Sequence, residues 1–361
     1  MNENKNVPEL RFPGFEGEWG LRFIGSVLTI GSGKDYKHLG VGDVPVYGTG
    51  GYMLSVNDYL YDGKSVCIGR KGTIDKPRFV EGKFWTVDTL FYTHSYKNSV
   101  PEFVYGVFQK INWQKYNEAS GVPSLSKTTI EKIKIYLPVV EEQQKIADFL
   151  SAVDKKIEQL TEKHRLFTEY KKGVMQQIFS QQIRFKDDEG NEYPEWEEKK
   201  LGDICIKKSS TIAANAIEDS KGVFKIYGAS GELESVDFYD EETPYVAIVK
   251  DGAGVGRVQY CEAKSSVLGT LDKIFPVSGV QLTFLYEVLK GISFEKYTTG
   301  STIPHIYFKD YKKELIGLPT GEEQQKIADF LTAIDKKIDQ ALSKIEQTKA
   351  FKKGLLQRLF V

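Results

Sequence analysis

The sequence predicts an α+β protein with an internal pseudo-twofold duplication. Two globular modules with twisted, mostly antiparallel sheets are separated by two long helices packed as an antiparallel coiled coil. One observation is the repeat itself: the 40 residues from Glu141 match the 40 from Glu322 at 22 positions, at a constant offset of 181. The other is the residue pattern between these segments, where short runs of β-branched and aromatic residues are followed by glycine turns. The chain is therefore interpreted as one structural unit written twice.

Composition restricts the class of protein. Of 361 residues, 40% are hydrophobic and 27% are charged, which is typical of a globular protein with room for two domains. No apolar run approaches the roughly 20 residues that span a bilayer, and the N-terminal residues carry no apolar signal core. We therefore expect a cytoplasmic protein.

Cysteine, histidine and charge counts weigh against several kinds of site. Cys67, Cys205 and Cys261 share no close spacing, so neither a disulfide framework nor a Cys-x-x-Cys zinc site is predicted. The four histidines are isolated in the sequence, which favours surface histidines over metal ligands. The net charge is −1, and the helical segments sum to +2, so the rest of the chain carries −3. Any contact with a polyanion must then come from local patches or from a partner.

The two modules share a layout, although their sequences have diverged. The first opens with Pro8–Phe15 and reaches Trp19, and the second opens with Ile183–Phe185 and reaches Trp196. Three strand-and-turn motifs then follow in the same order, paired as 44–52 with 224–231, 65–72 with 245–252, and 84–91 with 267–275. Helical stretches are predicted at 101–116 and 280–294.

The long helices are predicted by apolar residues at alternating steps of three and four, sustained over about five heptads. Such a seam needs a partner, and antiparallel packing of the two copies is the simplest arrangement. The alternative is that each helix folds back on its own module. Thr320 followed by Glu323 predicts a capping box at the start of the second helix.

These patterns divide the chain into four predicted segments. They are a first module at 1–140, a first helix at 141–182, a second module at 183–320 and a second helix at 321–361.

Catalytic motifs are scarce. The sequence has no Gly-x-x-x-x-Gly-Lys phosphate loop and no His-Glu-x-x-His motif. Gly252–Gly256 looks slightly like a dinucleotide loop, but Arg257 stands where the final glycine would be, and a strand turn is the better interpretation. Two divergent modules at a fixed separation suit duplex DNA, where equivalent groove faces recur about every 34–36 Å. A binding protein is therefore favoured over an enzyme.

Four motifs together resemble the specificity (S) subunit of type I restriction–modification systems. They are Leu-Arg-Phe-Pro-x-Phe from Leu10, the Tyr-Gly-x-x-Gly turn from Tyr47, Gly-Arg-x-Gly from Gly69, and the Leu-Pro-x-x-x-Glu-Gln-x-Lys-Ile-Ala-x-Phe-Leu segment from Leu137. The resemblance covers essentially the whole chain, and its most specific part is the doubled helix.

The resemblance implies a non-catalytic subunit that recognises a DNA sequence. Each module would be a target recognition domain for one half of a bipartite site. The helices would act as the conserved spacer, set the gap between half-sites and bind two modification (methyltransferase) subunits. No cofactor is expected in this chain: S-adenosylmethionine would sit in the modification subunits, and ATP and magnesium in the restriction subunit.

Candidate DNA-contacting residues lie at strand ends and in polar loops, where arginine and lysine suit guanine edges or phosphates, and serine and threonine suit either. The predicted DNA-binding residues are Tyr47, Thr49, Arg70, Lys71, Ser120, Ser124, Ser126 and Lys127 in the first module, and Tyr227, Ser230, Lys250, Asp251, Arg257, Ser301, Thr302 and His305 in the second. Where the first module has Arg70-Lys71, the second has Lys250-Asp251, which suggests that the half-sites differ. Solvated turn charges are the alternative at any one position.

Candidate partner-contacting residues lie on the polar faces of the helices, because near-identity there is what two equivalent partner sites require. They are Gln144, Lys145, Asp148, Lys155 and Lys156, and their counterparts Gln325, Lys326, Asp329, Lys336 and Lys337. A recent duplication alone is the other explanation of that similarity. The main alternative function is a duplicated coiled-coil adaptor that binds two protein partners without DNA.

Overall fold

The computed structural model describes residues 6–217 and 220–361. The chain forms two compact units, each built from one module and parts of both long helices. Unit 1 comprises residues 1–162 and 342–361, and unit 2 comprises 163–341. No helix among the described residues is long and apolar enough to cross a membrane.

The module of unit 1 is built on three small sheets. Two have four strands, in the orders β2-β9-β6-β7 and β4-β3-β8-β5, and β1 pairs with β10. All of these pairings are antiparallel except that of β3 with β8. The strands are β1 (Gly20–Phe23), β2 (Thr29–Ser32), β3 (Val41–Gly48), β4 (Gly51–Val56), β5 (Tyr61–Asp62), β6 (Ser65–Gly69), β7 (Arg78–Val80), β8 (Lys83–Thr86), β9 (Leu90–His94) and β10 (Lys134–Leu137).

Three short helices complete this module: α1 (Ile24–Val27), α2 (Pro101–Lys110) and α3 (Lys127–Glu131). A 3₁₀ turn at Trp113–Tyr116 follows α2, so the helical stretch predicted at 101–116 is broken near residue 111. The strand β6 is buried at all five positions, which explains its continuous apolar sequence. Phe103 and Phe108 of α2 are fully buried against it in the main core.

The module of unit 2 repeats this topology except that β5 has no counterpart strand; an isolated bridge between Glu241 and Ser265 takes its place. Its sheets have the orders β12-β18-β15-β16, β14-β13-β17 and β11-β19, and only β13 and β17 pair in parallel. The strands are β11 (Glu197–Lys200), β12 (Cys205–Ser209), β13 (Phe224–Gly228), β14 (Gly231–Val236), β15 (Tyr245–Val249), β16 (Val258–Cys261), β17 (Ser265–Val267), β18 (Leu271–Pro276) and β19 (Leu315–Leu318). The helices are α5 (Leu201–Ile204), α6 (Leu282–Gly291) and α7 (Phe308–Tyr311), with 3₁₀ turns at Ala214–Ile217 and Phe294–Tyr297. The predicted α+β class with mostly antiparallel sheets is confirmed.

The long helices are α4 (Val140–Phe179) and α8 (Gly321–Leu359). A buried glutamine fastens the start of each one. Gln143 donates to the Pro138 carbonyl and accepts from the backbone amide of Val100. Gln324 makes the equivalent contacts with Pro319 and Gln281. This shared anchoring explains why the glutamines are identical in the repeats.

The glutamate before each glutamine is also buried, and it pairs with the opening phrase of the module. Arg11 donates two hydrogen bonds of 2.8 Å to Glu142, and Arg184 and Trp196 donate to Glu323. The prediction that Glu323 forms a capping box with Thr320 is wrong in this respect, because the Glu323 carboxylate is held by these distant donors. Burial of the carboxylate makes a cationic partner more valuable than a local cap.

The two long helices run antiparallel, as predicted. In unit 1, Asp154 of α4 pairs with Lys352 of α8, and in unit 2, Lys171 of α4 pairs with Asp335 of α8. Each helix also contributes to both cores. Ile146 of α4 and Leu359 of α8 belong to the unit 1 core, whereas Ile178 and Ile327 belong to that of unit 2. Packing between the helices and packing on the modules therefore occur together.

Candidate DNA interface and partner surface

Three segments of unit 1 meet at one surface: the tip of the β3–β4 hairpin, the turn after β6 and the loop before α3. The Gly72 amide donates to the Pro123 carbonyl at 2.8 Å, and the Leu125 amide donates to Arg70 at 2.9 Å. Lys71 and Ser124 form an isolated β-bridge. A Cβ at Gly72 would lie 3.8 Å from the Thr49 hydroxyl. The structure thus brings together three segments of predicted DNA-contacting sequence.

Unit 2 builds the same surface with the same backbone contacts. The Gly252 amide donates to Pro304 and the Ile306 amide donates to Lys250, both at 2.9 Å. Asp251 bridges His305 where Lys71 bridges Ser124 in unit 1. We call these two surfaces reading surface 1 (residues 47–52, 70–73 and 117–127) and reading surface 2 (227–232, 250–257 and 298–307).

A shared anchor sets the turn in each reading surface. The amides of Arg70 and Lys71 both point to the Thr89 carbonyl, and those of Lys250 and Asp251 both point to Thr270. Gly72 and Gly252 then adopt φ values of +90° and +83°, in the left-handed region that favours glycine. The side chains of the two preceding residues are therefore presented from a fixed backbone.

The predicted residues of reading surface 1 differ in availability. Arg70 and Lys71 are exposed, and the Arg70 guanidinium makes only a long contact of 3.5 Å with the Asp88 carbonyl and lies 5.9 Å from the Phe91 ring centroid. Ser126 is occupied as the N-cap of α3, accepting from the Thr129 amide and donating to Glu118. The other predicted side chains are exposed at Ser120 and partly exposed at Tyr47, Thr49, Ser124 and Lys127.

The predicted residues of reading surface 2 are more heavily engaged. Tyr227 is only 7% exposed, and burial raises the pKa of its hydroxyl, so it supports the surface from beneath. Lys250 lies 3.3 Å from the buried Asp272 carboxylate. Arg257 donates to the Ala229 carbonyl of the hairpin tip. Exposed or partly exposed side chains remain at Ser230, Asp251, Ser301, Thr302 and His305.

Sequence reasoning missed an exposed aliphatic residue that recurs in both loops. Val122 is 57% exposed and Ile303 is 64% exposed, each directly before the proline that accepts from the turn glycine. The two residues are separated by 181 positions, the same offset as the helical repeat, so comparing the two copies of the sequence could have identified them. Apolar side chains of this kind suit the thymine methyl group in the major groove. Tyr52, 63% exposed in the β3–β4 hairpin, was also missed.

The two modules differ strongly in charge. Residues 1–140 carry 17 basic and 14 acidic residues, a net charge of +3, whereas residues 183–320 carry 17 basic and 23 acidic, a net charge of −6. The near-neutral total therefore conceals one module that attracts a polyanion and one that does not. Long-range attraction to any polyanion belongs mainly to the first module.

The candidate partner residues present one arrangement twice. Gln144 donates to Asp148 at 2.7 Å, and Gln325 donates to Asp329 at 2.8 Å. The lysine after each glutamine lies over an aromatic ring of its own module: Lys145 is 5.7 Å from the Phe15 centroid, and Lys326 is 5.8 Å from that of Tyr193. Further along these helices, exposed side chains occur at Lys155, Lys156, Lys336 and Lys337. The copies share these contacts, but Lys326 is also paired with the Asp188 carboxylate at 2.6 Å, so the second lysine is more engaged than the first.

Comparison with known proteins agrees with this geometry. The family described as type I restriction modification DNA specificity domain matches residues 16–166 and 193–348. The MjaVIII type I restriction enzyme specificity subunit of Methanocaldococcus jannaschii is 25% identical over 355 residues, covering 85% of this chain and 79% of that protein. The putative MjaX specificity subunit of the same organism is 28% identical over 277 residues, covering 70% and 64%.

Solved structures show the same fold. The S subunit of a type I restriction–modification system from M. genitalium superimposes with a TM-score of 0.72 at 17% identity, covering 98% of this chain and 99% of that one. A chain from a study of complex assembly in the type I system superimposes with a TM-score of 0.52. The chain described here belongs to the type I restriction–modification DNA specificity family.

Proposed function

We propose that reading surfaces 1 and 2 each recognise one half of a bipartite DNA target. The observation that carries this proposal is that both surfaces have the same backbone hydrogen bonds but different side chains. Identical scaffolding supports the same docking geometry, and the substitution of Arg70-Lys71 by Lys250-Asp251 changes what is recognised. A protein that bound the same ligand at both surfaces would have no need of that charge reversal.

The long helices are proposed to bind two modification subunits and to set the distance between the half-sites. The matched pairs Gln144–Asp148 and Gln325–Asp329 support two equivalent contacts. The antiparallel pairing of α4 with α8 supports a fixed spacing, because a helix pair resists bending better than a flexible linker. The proposal places S-adenosylmethionine in the modification subunits and ATP with magnesium in a restriction subunit.

The test is to co-express this chain with the type I modification subunit of its own source and to map N6-methyladenine across a host genome. We expect methylation at a single split motif with a fixed gap. The control is the modification subunit expressed alone, which should leave that motif unmethylated. Methylation that is absent, or that does not depend on this chain, would contradict the proposal. If this chain formed a complex with the modification subunit but no methylation of a split motif followed, the alternative of a coiled-coil adaptor would be favoured.

A further inference from the structure

The carboxylate of Asp251 extends from the position that carries a lysine, Lys71, in unit 1. Its backbone sits where Lys71 sits in unit 1, fixed by the same hydrogen bonds. Within the residues that the structure describes, no hydrogen bond or ion pair reaches the Asp251 side chain. A carboxylate that approached a DNA phosphate would be repelled. On a surface that contacts DNA, this carboxylate can make a favourable contact only with a hydrogen-bond donor on a base.

Neighbouring cations do not neutralise this carboxylate. The Lys250 ammonium is 3.3 Å from Asp272, and Arg257 is engaged by the Ala229 carbonyl. The His305 ring, on the residue bridged to Asp251, has its Nδ1 3.3 Å from the Ile303 carbonyl oxygen. In unit 1 the residue that matches Asp272 is Phe91, which pairs with β6 as Asp272 pairs with β15, so Arg70 has no carboxylate to hold it. The two turns thus present opposite charge from equivalent backbones.

Base edges in the major groove identify the donor. An ionised carboxylate only accepts hydrogen bonds, and the exocyclic amino groups of cytosine (N4) and adenine (N6) are the donors available there. Adenine presents its N7 acceptor beside the amino group, which repels a second carboxylate oxygen. Cytosine has only a C–H at the corresponding place. A carboxylate is therefore better matched to cytosine, whereas an amide side chain is better matched to adenine.

We propose that Asp251 reads the N4 amino group of a cytosine in the half-site bound by unit 2, whereas Lys71, at the matched position in unit 1, faces acceptors. This inference rests on the proposed function and deepens it by assigning a base class to one position. The net charge of −6 in the second module is in keeping with recognition that relies on base edges more than on phosphate attraction.

The experiment compares methylation rates of the complex with its modification subunits on duplexes that vary one position of the second half-site at a time. Asp251→Asn keeps the shape of the side chain but adds an amide donor. We expect it to lower the preference for cytosine at one position by about 10-fold and to raise that for adenine. Asp251→Ala should lose the cytosine preference without gaining adenine. The first half-site should stay unchanged in both variants.

Glu198→Gln is the matched control, because it removes one exposed carboxylate from β11 of the same module, away from the turn. It should leave the motif as it is. An unchanged motif in Asp251→Asn, or a loss of rate that is equal for every sequence, would overturn the assignment to Asp251. If the wild-type complex recognises no split motif, the proposed function itself fails, whatever the variants do. Thermal unfolding of each variant separates a change in reading from a loss of folded protein.

Discussion

Units 1 and 2 are built on the same pair of repeated helices but hold them to the modules with different chemistry. In unit 2, Lys171 is 5% exposed and pairs with both Asp335 and Glu287 of α6, which is itself 2% exposed. In unit 1, Lys352 pairs with Asp154, and the position that matches Glu287 is Gly106. A Cβ there would lie 2.5 Å from the ring of Phe360. The residue on the module, Glu287 or Gly106, thus decides whether the module contacts the long helices through an ion pair or through an aromatic ring.

A second difference lies where the end of each long helix meets its module. Unit 2 has a cavity of about 780 Å³ lined by residues that include Phe179, Gly291 and Gly317. The corresponding cavity in unit 1 is about 220 Å³, because Lys110 and Tyr136 stand in place of the two glycines. Lys110 also donates to the carbonyl of Phe360 at the end of α8. The two units therefore share a backbone arrangement at this point but differ in how tightly the side chains fill it.

Lys171→Met tests the ionic contact and has the largest expected effect. It leaves the Glu287 carboxylate buried without its nearest cation, which costs about 3–5 kcal/mol. Lys352→Met, the matched change in unit 1, should cost about 1 kcal/mol or less, since Asp154 is partly exposed. Chemical denaturation followed by a probe in each unit measures both values.

Glu287→Leu combined with Lys171→Met serves as the control for that comparison. Replacing both charges by apolar groups should recover most of the lost stability, because no uncompensated charge remains. Burial raises the pKa of the Glu287 carboxyl, so its charged form depends on the lysines beside it. Equal costs for Lys171→Met and Lys352→Met would break the contrast drawn between the units.

Arg70→Ala tests the difference between the two turns. The exposed Arg70 side chain holds little of the fold, so its loss should weaken or relax only the first half-site, by about 1–3 kcal/mol, without changing stability. Lys250→Ala should instead lower stability, because it leaves the buried Asp272 short of a cation. Methylation rates on half-site variants and unfolding midpoints distinguish the outcomes. An equal loss at both half-sites in Arg70→Ala would count against independent readers.

Gly291→Lys tests the unequal cavities and has the smallest expected effect. A Cβ at Gly291 would meet only an ordinary contact of 3.9 Å with Phe179, and the new ammonium can donate to the end of α4 as Lys110 does for α8. We expect a gain of about 0.5–1 kcal/mol in the free energy of unfolding. The reverse change, Lys110→Gly, should lose a similar amount. Destabilisation by Gly291→Lys would show that the cavity must stay open.

The layout of the fold was accessible from the sequence, whereas several side-chain roles were not. The three-and-four spacing predicted both helices, because a helix depends on local periodicity. Their antiparallel pairing was predicted from the duplication, as the simplest way to accommodate two equivalent modules at opposite ends of two helices. Tyr227 was predicted at the DNA surface, but it is buried beneath that surface, since the turn residue Ser230 and not the tyrosine reaches the exposed edge. The partners of Glu287 and Glu323 are far from them in sequence, and no local pattern predicts such pairs.

The sequence alone determined that this protein is a duplicated unit with two alike helices and two divergent modules. It also placed Lys71 and Asp251 at equivalent positions, because both precede the same glycine after a buried strand. Only the tertiary structure decided which of these charges are available. Lys250 is held by Asp272 and Ser126 by the start of α3, while Asp251 and Lys71 extend from fixed backbones. The physical reason is that local sequence sets backbone geometry, whereas the availability of a charge depends on which distant side chains the fold places beside it.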